Sequence, residues 1–503
     1  MNKLNNNSTD KFTVFSVLLA IAVITIPMVL FPGQTEIFIR ETYLSIVDIF
    51  GPTYMVFTML TIIFMLSLCV TKYGGYRLGG EDSTPEYTNL SWFSMLFCSG
   101  IGGGILYWGV VEWAYYVNQS LFGIEAFSER AYHLASAYGI FHWGISGWAL
   151  YLIPTITIAV PYYHYKLGSL RLSSGLRTNA NVSVEHSVIG RSVDFIFVLV
   201  LIGASGGTLG MYVPVIGAGV SELFNLEHNL MLDLSMLALC TMLFGYSVYR
   251  GIYNGIRLIS NLNVIMALIF LVFILILGPT TEILILTYSA LKELVINFAD
   301  MNTLGIIKKS KFADDWSIFY WAWWLALGPQ VGLFVARVSK GRSLREVILG
   351  MLILGSLGCT LFFAIMGNYA INLELSGQME VSSILASEGH QVAATKVILS
   401  LPFGKVFLFA YCLIVVIFIA TSYDSVSYIL ASHIRKTGSN YSEPTRSSRL
   451  FWAFVLAIIP ASLFIIGSNR TAMDLILLMS PPLLILCPIF LFSMVKTLRN
   501  QYH

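Results

Sequence analysis

The sequence predicts an all-α integral membrane protein of twelve transmembrane helices. Three observations carry this: a composition that is 56% hydrophobic, 11% charged and of mean hydropathy +0.76, about a dozen long apolar runs, and glycine-rich interruptions that recur five helices apart. Soluble domains carry roughly a quarter charged residues, so the charge content alone excludes a water-soluble fold. The net charge of +2 over 503 residues gives no basis for a nucleic-acid partner. The six cysteines (Cys69, Cys98, Cys240, Cys359, Cys412, Cys487) sit singly in apolar runs without ligand-like spacing. Neither disulfides, nor a metal centre, nor another cofactor is expected.

Crossing about 30 Å of hydrocarbon takes about 20 apolar residues. Such runs fall near 13–31, 52–71, 92–117, 137–163, 192–220, 229–249, 258–279, 315–338, 347–372, 404–431, 450–468 and 473–495. Residues 1–12 are expected to form a cytoplasmic tail, 13–497 a single transmembrane domain, and 498–503 a short cytoplasmic end. The first run follows Lys3 and Lys11 but is too long for a signal peptide and lacks a small-residue cleavage site. It should stay in the protein. Residues 13–71 read as two leading helices and 92–279 as a first repeat. Residues 280–314 read as an external amphipathic segment with helical apolar spacing over 283–298, and 315–497 as a second repeat. With the N-terminus inside, twenty of the 29 basic residues fall on the inner side. Both termini are therefore expected on the cytoplasmic side of the cytoplasmic membrane.

The eighth run contains Trp316-Ser-Ile-Phe-Tyr320-Trp-Ala-Trp323-Trp324-Leu-Ala-Leu-Gly328-Pro329. At 100° per residue, Trp316, Tyr320, Trp323 and Trp324 share one side of a helix, and Gly328-Pro329 is expected to interrupt the hydrogen-bond ladder beyond them. In the fourth run Trp143, Trp148 and Tyr151 fall within about 140° of arc. Aromatic faces attract quaternary ammonium groups, which makes a transporter for such a cation the expected function. Interface belts explain scattered tryptophans near helix ends. That reading stays open for Trp316, whereas Trp323 and Trp324 lie mid-segment and favour binding.

The third run carries Cys98-Ser-Gly100-Ile101-Gly102-Gly103-Gly104. Gly100 and Gly104 alone form a GxxxG packing pair. Gly102 and Gly103 are better explained by an unwound backbone that frees carbonyls and amides at mid-membrane. Glycine-interrupted segments in the third and eighth helices suit two inverted five-helix repeats, helices 3–7 and 8–12. In the tenth run, Thr421-Ser422-Tyr-Asp424-Ser425 offers hard oxygens for an alkali cation. Asp424 is either a coupling group or a buried acceptor that ties helices together.

These motifs together resemble the betaine/carnitine/choline transporter family along nearly the whole chain. The resemblance rests on Arg77-Leu-Gly-Gly, Pro85-Glu-Tyr-Thr-Asn-Leu-Ser-Trp92, Gly100-x-Gly102-x-Gly104, Tyr107-Trp-Gly109 with Glu112, and Phe141-His-Trp143 with Trp148 and Tyr151. It extends through Trp316 to Trp324 and on to Ala336-Arg337-Val-Ser-Lys-Gly-Arg342. It implies a leucine-transporter-like fold, a homotrimer in the lipid bilayer, and a small onium substrate held between helices 3, 4 and 8. Trp143, Trp148, Tyr151, Trp323 and Trp324 would enclose the onium group, with Tyr115 bordering it, and the backbone of Gly100, Gly102 and Gly104 would meet a carboxylate. By the same resemblance Thr421 and Ser422, with the carbonyl of Ile101, would hold one sodium ion. Ser205 and Thr208 would contribute to a second.

Sodium-independent carnitine exchangers of the family carry an arginine and a methionine where this chain has Asn263 and Val331, which favours sodium symport. A sodium-independent precursor/product exchanger is the alternative. Gln330 stands where coupled members tend to have an aromatic, Leu327 where a further tryptophan is common, and Gly147 where proline is usual. The absence of a long basic C-terminal helix suggests a constitutive rather than an osmotically activated carrier. A membrane enzyme is not expected, because His142, Asp424 and Glu112 lie on separate segments without catalytic spacing.

Overall fold

A computed structural model describes residues 11–502 apart from 168–169, 179–183, 251–252, 307–308 and 434–443. Residues 1–10 of the tail expected at 1–12, and the basic residues Arg435 and Lys436, lie outside the described residues, while Lys11 and Phe12 already belong to the first helix. Every expected apolar run is helical, and among the described residues there is no strand, only one isolated bridge between Arg77 and Ser343. Among the described residues ten helices are long and apolar enough to cross a membrane, or eleven if a pair bent by 112° counts as one.

The chain opens with α1 (Lys11–Leu30) and α2 (Pro32–Val70), the latter starting twenty residues before the apolar run that marks it. The third run is split into α3 (Asn89–Ile101) and α4 (Gly104–Tyr116), because Gly102 takes φ 58° and ψ −161°. Only glycine adopts that region without strain. α5 (Glu129–Trp143) and α6 (Ile145–His164) meet at Gly144, and α7 (Val188–Phe224), α8 (Leu230–Arg250) and α9 (Tyr253–Leu277) follow. Next, α10 (Thr280–Thr303) leaves the axis of α9 at 112°, as befits a segment too polar to span. A π-turn at Ala313–Ser317 leads into α11 (Ile318–Val338).

The expected interruption at Gly328-Pro329 is absent: α11 runs through Pro329 to Val338. Proline removes one donor, but neighbouring helices in a membrane bundle absorb that cost. The small residues serve approach instead. A Cβ on Gly328 would meet the Pro154 ring at 3.2 Å, and one on Gly332 the Pro154 backbone at 2.7 Å. The most extensive contact in the molecule accordingly joins α6 to α11.

The second half continues with α12 (Leu344–Leu349), α13 (Ser356–Phe362) and α14 (Asn368–Leu375), separated by π-turns at Gly350–Gly355 and Phe363–Gly367. Short helices α15 (Val381–Glu388) and α16 (His390–Leu399) precede α17 (Gly404–His433). The chain closes with α18 (Arg446–Leu456), α19 (Ile458–Ile466), α20 (Asn469–Met479) and α21 (Pro481–Tyr502). Large apolar side chains stand exposed along the outer helices, such as Val70 at 84% and Ile276 at 67%. An exposed face of that kind belongs in lipid.

Candidate functional site

A cavity lies where α3, α5, α6, α7, α11 and α17 converge. It is lined by Gly100, Ile101, Gly102, Gly103, Trp143, Tyr151, Ser205, Thr208, Tyr212, Trp323, Trp324, Leu327, Gln330, Val331, Ser422, Tyr423 and Val426. None of these side chains is charged. The sequence motifs from the third, fourth, eighth and tenth runs thus share one hollow, at the glycine break between α3 and α4.

Four rings of its aromatic wall are held by hydrogen bonds to their polar edges. The Trp323 indole donates to Thr208 Oγ1 at 3.1 Å and the Trp324 indole to the His142 carbonyl at 3.0 Å. The Trp143 indole donates to Glu112 Oε2 at 2.9 Å, and the Tyr151 hydroxyl to the Gly100 carbonyl at 2.9 Å. With their polar atoms tied back, the ring faces are left for the cavity. Trp143 stands edge-on to Trp323 at 5.5 Å and to Trp324 at 6.0 Å, and Tyr151 lies 4.4 Å from Trp324. Gly147 makes room for this wall, since a Cβ there would come within 2.3 Å of the Trp324 ring.

Trp148 does not line the cavity. It is fully buried one layer back, edge-on to Tyr151 at 5.9 Å, where a Cβ on Gly100 would approach it at 3.0 Å and one on Gly355 at 2.4 Å. Gly104 is likewise outside the lining. Its missing Cβ is the space taken by the Tyr212 hydroxyl. Trp316 and Tyr115 pair with each other at 5.0 Å, and both contact Trp108. They form a second aromatic cluster at the N-terminal end of α11, apart from the lining residues.

The expected oxygen ligands divide in a similar way. Ser422 lines the cavity, and its hydroxyl and that of Ser205 have no hydrogen-bond partner. A Cβ on Gly102 would meet Ser422 Oγ at 3.1 Å, so the freed backbone and this hydroxyl face one another. Buried unpaired hydroxyls beside an unwound turn suit a hard cation. Thr421, by contrast, turns its hydroxyl onto the carbonyls of Ile417 and Phe418, and Thr208 donates to Ala204 while accepting from Trp323. Asp424 points away from the cavity and accepts from Ser247 on α8 at 2.9 Å. Among the described residues no three His, Cys, Asp or Glu side chains converge on a metal-binding geometry.

Tyr212, Tyr423 and Val426 are lining residues that sequence reasoning missed. Tyr423 and Val426 lie in or beside the Thr421–Ser425 stretch, whose oxygens drew the attention, and Tyr212 stands alone on an apolar helix. A single tyrosine in such a setting gives no local signal.

The chain matches, over residues 12–503, a family model described as BCCT, betaine/carnitine/choline family transporter. It is 31% identical over 497 residues to a carnitine transporter of Acinetobacter baumannii, covering 98% of this chain and 90% of that protein. It is 28% identical to the glycine betaine transporter OpuD of Bacillus subtilis over 97% of this chain and 94% of that one. Identity to the osmo-independent choline transporter BetT1 of Acinetobacter baylyi is 29% over 98% and 94% of the two chains.

Proposed function

This chain belongs to the betaine/carnitine/choline transporter family and is a multi-pass membrane transporter rather than an enzyme, and from that premise we propose that it imports a small methylated onium compound by sodium symport. The observation that carries the reading is the uncharged cavity walled by Trp143, Tyr151, Trp323 and Trp324. A trimethylammonium group has no N–H to donate, so hydrogen-bond acceptors cannot select it, but ring faces can. Each close contact contributes about 0.5–2 kcal/mol, more when desolvated, and three or four suffice for useful affinity. The carboxylate of a zwitterionic substrate would meet the backbone of Gly100 and Gly102. Trp148 and Gly104 support this site from behind, and Tyr115 and Trp316 stand on the approach to it.

Sodium would be held by Ser422 and the carbonyl of Ile101, with Ser205 the next candidate. The unpaired hydroxyls of Ser422 and Ser205 support that assignment. The architecture of the proposal is twelve spans, counting the broken α3–α4 pair as one, in two inverted repeats. It is assembled as a homotrimer in the cytoplasmic membrane with both termini inside. The second reading, exchange without sodium, is favoured by one observation: the Thr421 and Thr208 hydroxyls are already engaged by protein groups.

Uptake of choline, glycine betaine and carnitine into proteoliposomes, with and without an inward sodium gradient, tests both. Saturable uptake of one of them that rises with the gradient is the expected result. Uptake that needs substrate inside and ignores sodium would establish exchange, and no uptake of any onium compound would overturn the assignment.

A further inference from the structure

A bound onium cation meets no carboxylate in the lining of its own cavity, because all seventeen lining side chains are uncharged. Asp424, adjacent in sequence to the lining residue Tyr423, is turned to Ser247. One acid does touch the cage. Glu112, fully buried on α4, stands directly behind Trp143.

The surroundings of Glu112 are built to accept, with donors on both oxygens. Oε1 takes the Tyr116 hydroxyl at 2.6 Å, and Oε2 takes the Tyr320 hydroxyl and, at 2.9 Å, the Trp143 indole N–H. Three donors converge on one carboxyl group, the geometry that suits its anionic form. A further layer supports them. His142 Nδ1 is 3.1 Å from the Tyr116 hydroxyl, its Nε2 is 3.0 Å from Ser317 Oγ, and its ring stacks on Tyr320 at 4.5 Å. The donors come from α4, α5 and α11, so the carboxylate also fixes the two helices that carry Trp143 and Trp323.

We propose that Glu112 is the counter-charge of the onium cage, acting through Trp143 as a positioning residue. This rests on the onium reading above. An anion at the indole N–H holds the ring face toward the cavity and pushes electron density into its π system, so the face attracts a cation more strongly. Its charge also reaches the substrate directly across one ring width, about 6–8 Å, in a site where nearby charges are weakly screened. The consequence is selectivity by charge: Glu112 favours a trimethylammonium group over a neutral group of the same shape.

The test compares choline and glycine betaine with their tert-butyl analogues, in which carbon replaces the quaternary nitrogen. Binding is followed by calorimetry on the purified full chain. The wild type is expected to prefer the cation, and Glu112→Gln to weaken the cation by about tenfold while the tert-butyl analogue changes less than about twofold. Equal loss for both ligands, or an unchanged ratio, would overturn the proposal and leave Glu112 a packing residue. If Glu112→Gln does not fold, Glu112→Met serves instead. It removes the same charge with an apolar side chain of similar length, and a folded variant with an unchanged ratio would equally overturn the idea. A wild type that binds neither cation rejects the onium reading itself, which separates that failure from a failure of Glu112.

Discussion

At the scale of single residues, the cage works because the polar edges of its rings are anchored and their faces are not. Trp323 is the clearest case, since its indole is held by Thr208 while its ring stands edge-on to Trp143. Replacing it with leucine keeps an apolar filler but removes the π face. Trp323→Leu is expected to fold normally and to weaken onium binding by about tenfold or more, as loss of one or two cation–π contacts requires. Calorimetry alongside a thermal-unfolding scan separates the two effects. The hydroxyls allow a sharper division. Ser422→Ala is expected to abolish sodium stimulation of uptake, whereas Thr421→Ala should leave most of it, because the Thr421 hydroxyl is committed to its own helix. Sodium-dependent uptake by Thr421→Ala as low as that by Ser422→Ala would reassign the ligand. Both residues were legible in the sequence as an oxygen-rich pair. Which of the two faces the cavity was not, since 100° of helical rotation separates neighbours and only packing sets the phase.

At the scale of elements, a single glycine decides where the third run breaks. Gly102 sits at φ 58°, ψ −161°, a region that costs other residues about 1–3 kcal/mol. Gly102→Ala is expected to destabilise the protein by that order and to lower transport at least in proportion. Its Cβ must also press on Ser422. Gly33 provides the contrast, being a helical glycine with nothing within 4 Å of its missing Cβ. Gly33→Ala should be neutral or stabilising by up to about 1 kcal/mol through helix propensity. Thermal shifts of the two variants in the same detergent check the pair. The sequence located the Gly102 break but overstated the one at Gly328-Pro329. The motif looked the same on paper, yet those residues are spent on the close approach of α11 to Pro154.

At the scale of the whole molecule, the bundle is fastened at both ends around the cavity. At one end Arg40 and Arg470 bridge Asp315 and Asp474, with distances of 2.8–3.4 Å, and both guanidinium groups lie over the Tyr43 ring. This ties α2 and α20 to the π-turn that begins α11. At the other, Arg342 lies 4.0 Å over the Trp92 ring and bonds Asn89, while the Trp92 indole donates to Ser339 at 2.9 Å. The N-terminal end of α3 is thereby joined to the loop that follows α11. Asp474 has a side chain only 2% exposed, but its arginine partners are about a third exposed. Asp474→Asn therefore costs less than a fully buried pair, about 1–3 kcal/mol after allowing for solvent. The expected readout is a lower unfolding temperature in low salt, with a smaller difference from wild type in high salt. Equal unfolding temperatures for the two proteins in low salt would show that the cluster contributes nothing to stability.

Composition and apolar periodicity determined by themselves that this chain is helical and lives in a bilayer, because hydrophobic length is a local property of the sequence. The aromatic and glycine motifs named most of the cavity wall for the same reason: rings and missing side chains are visible one residue at a time. Tertiary structure alone decided which of those groups meet. It set Trp148 and Gly104 behind the wall, Trp316 and Tyr115 in another cluster, and Tyr212 from α7 into the lining, and it placed Glu112 against Trp143. Each of these depends on how distant helices are rotated and how closely they approach, and those quantities are fixed by packing across the whole bundle.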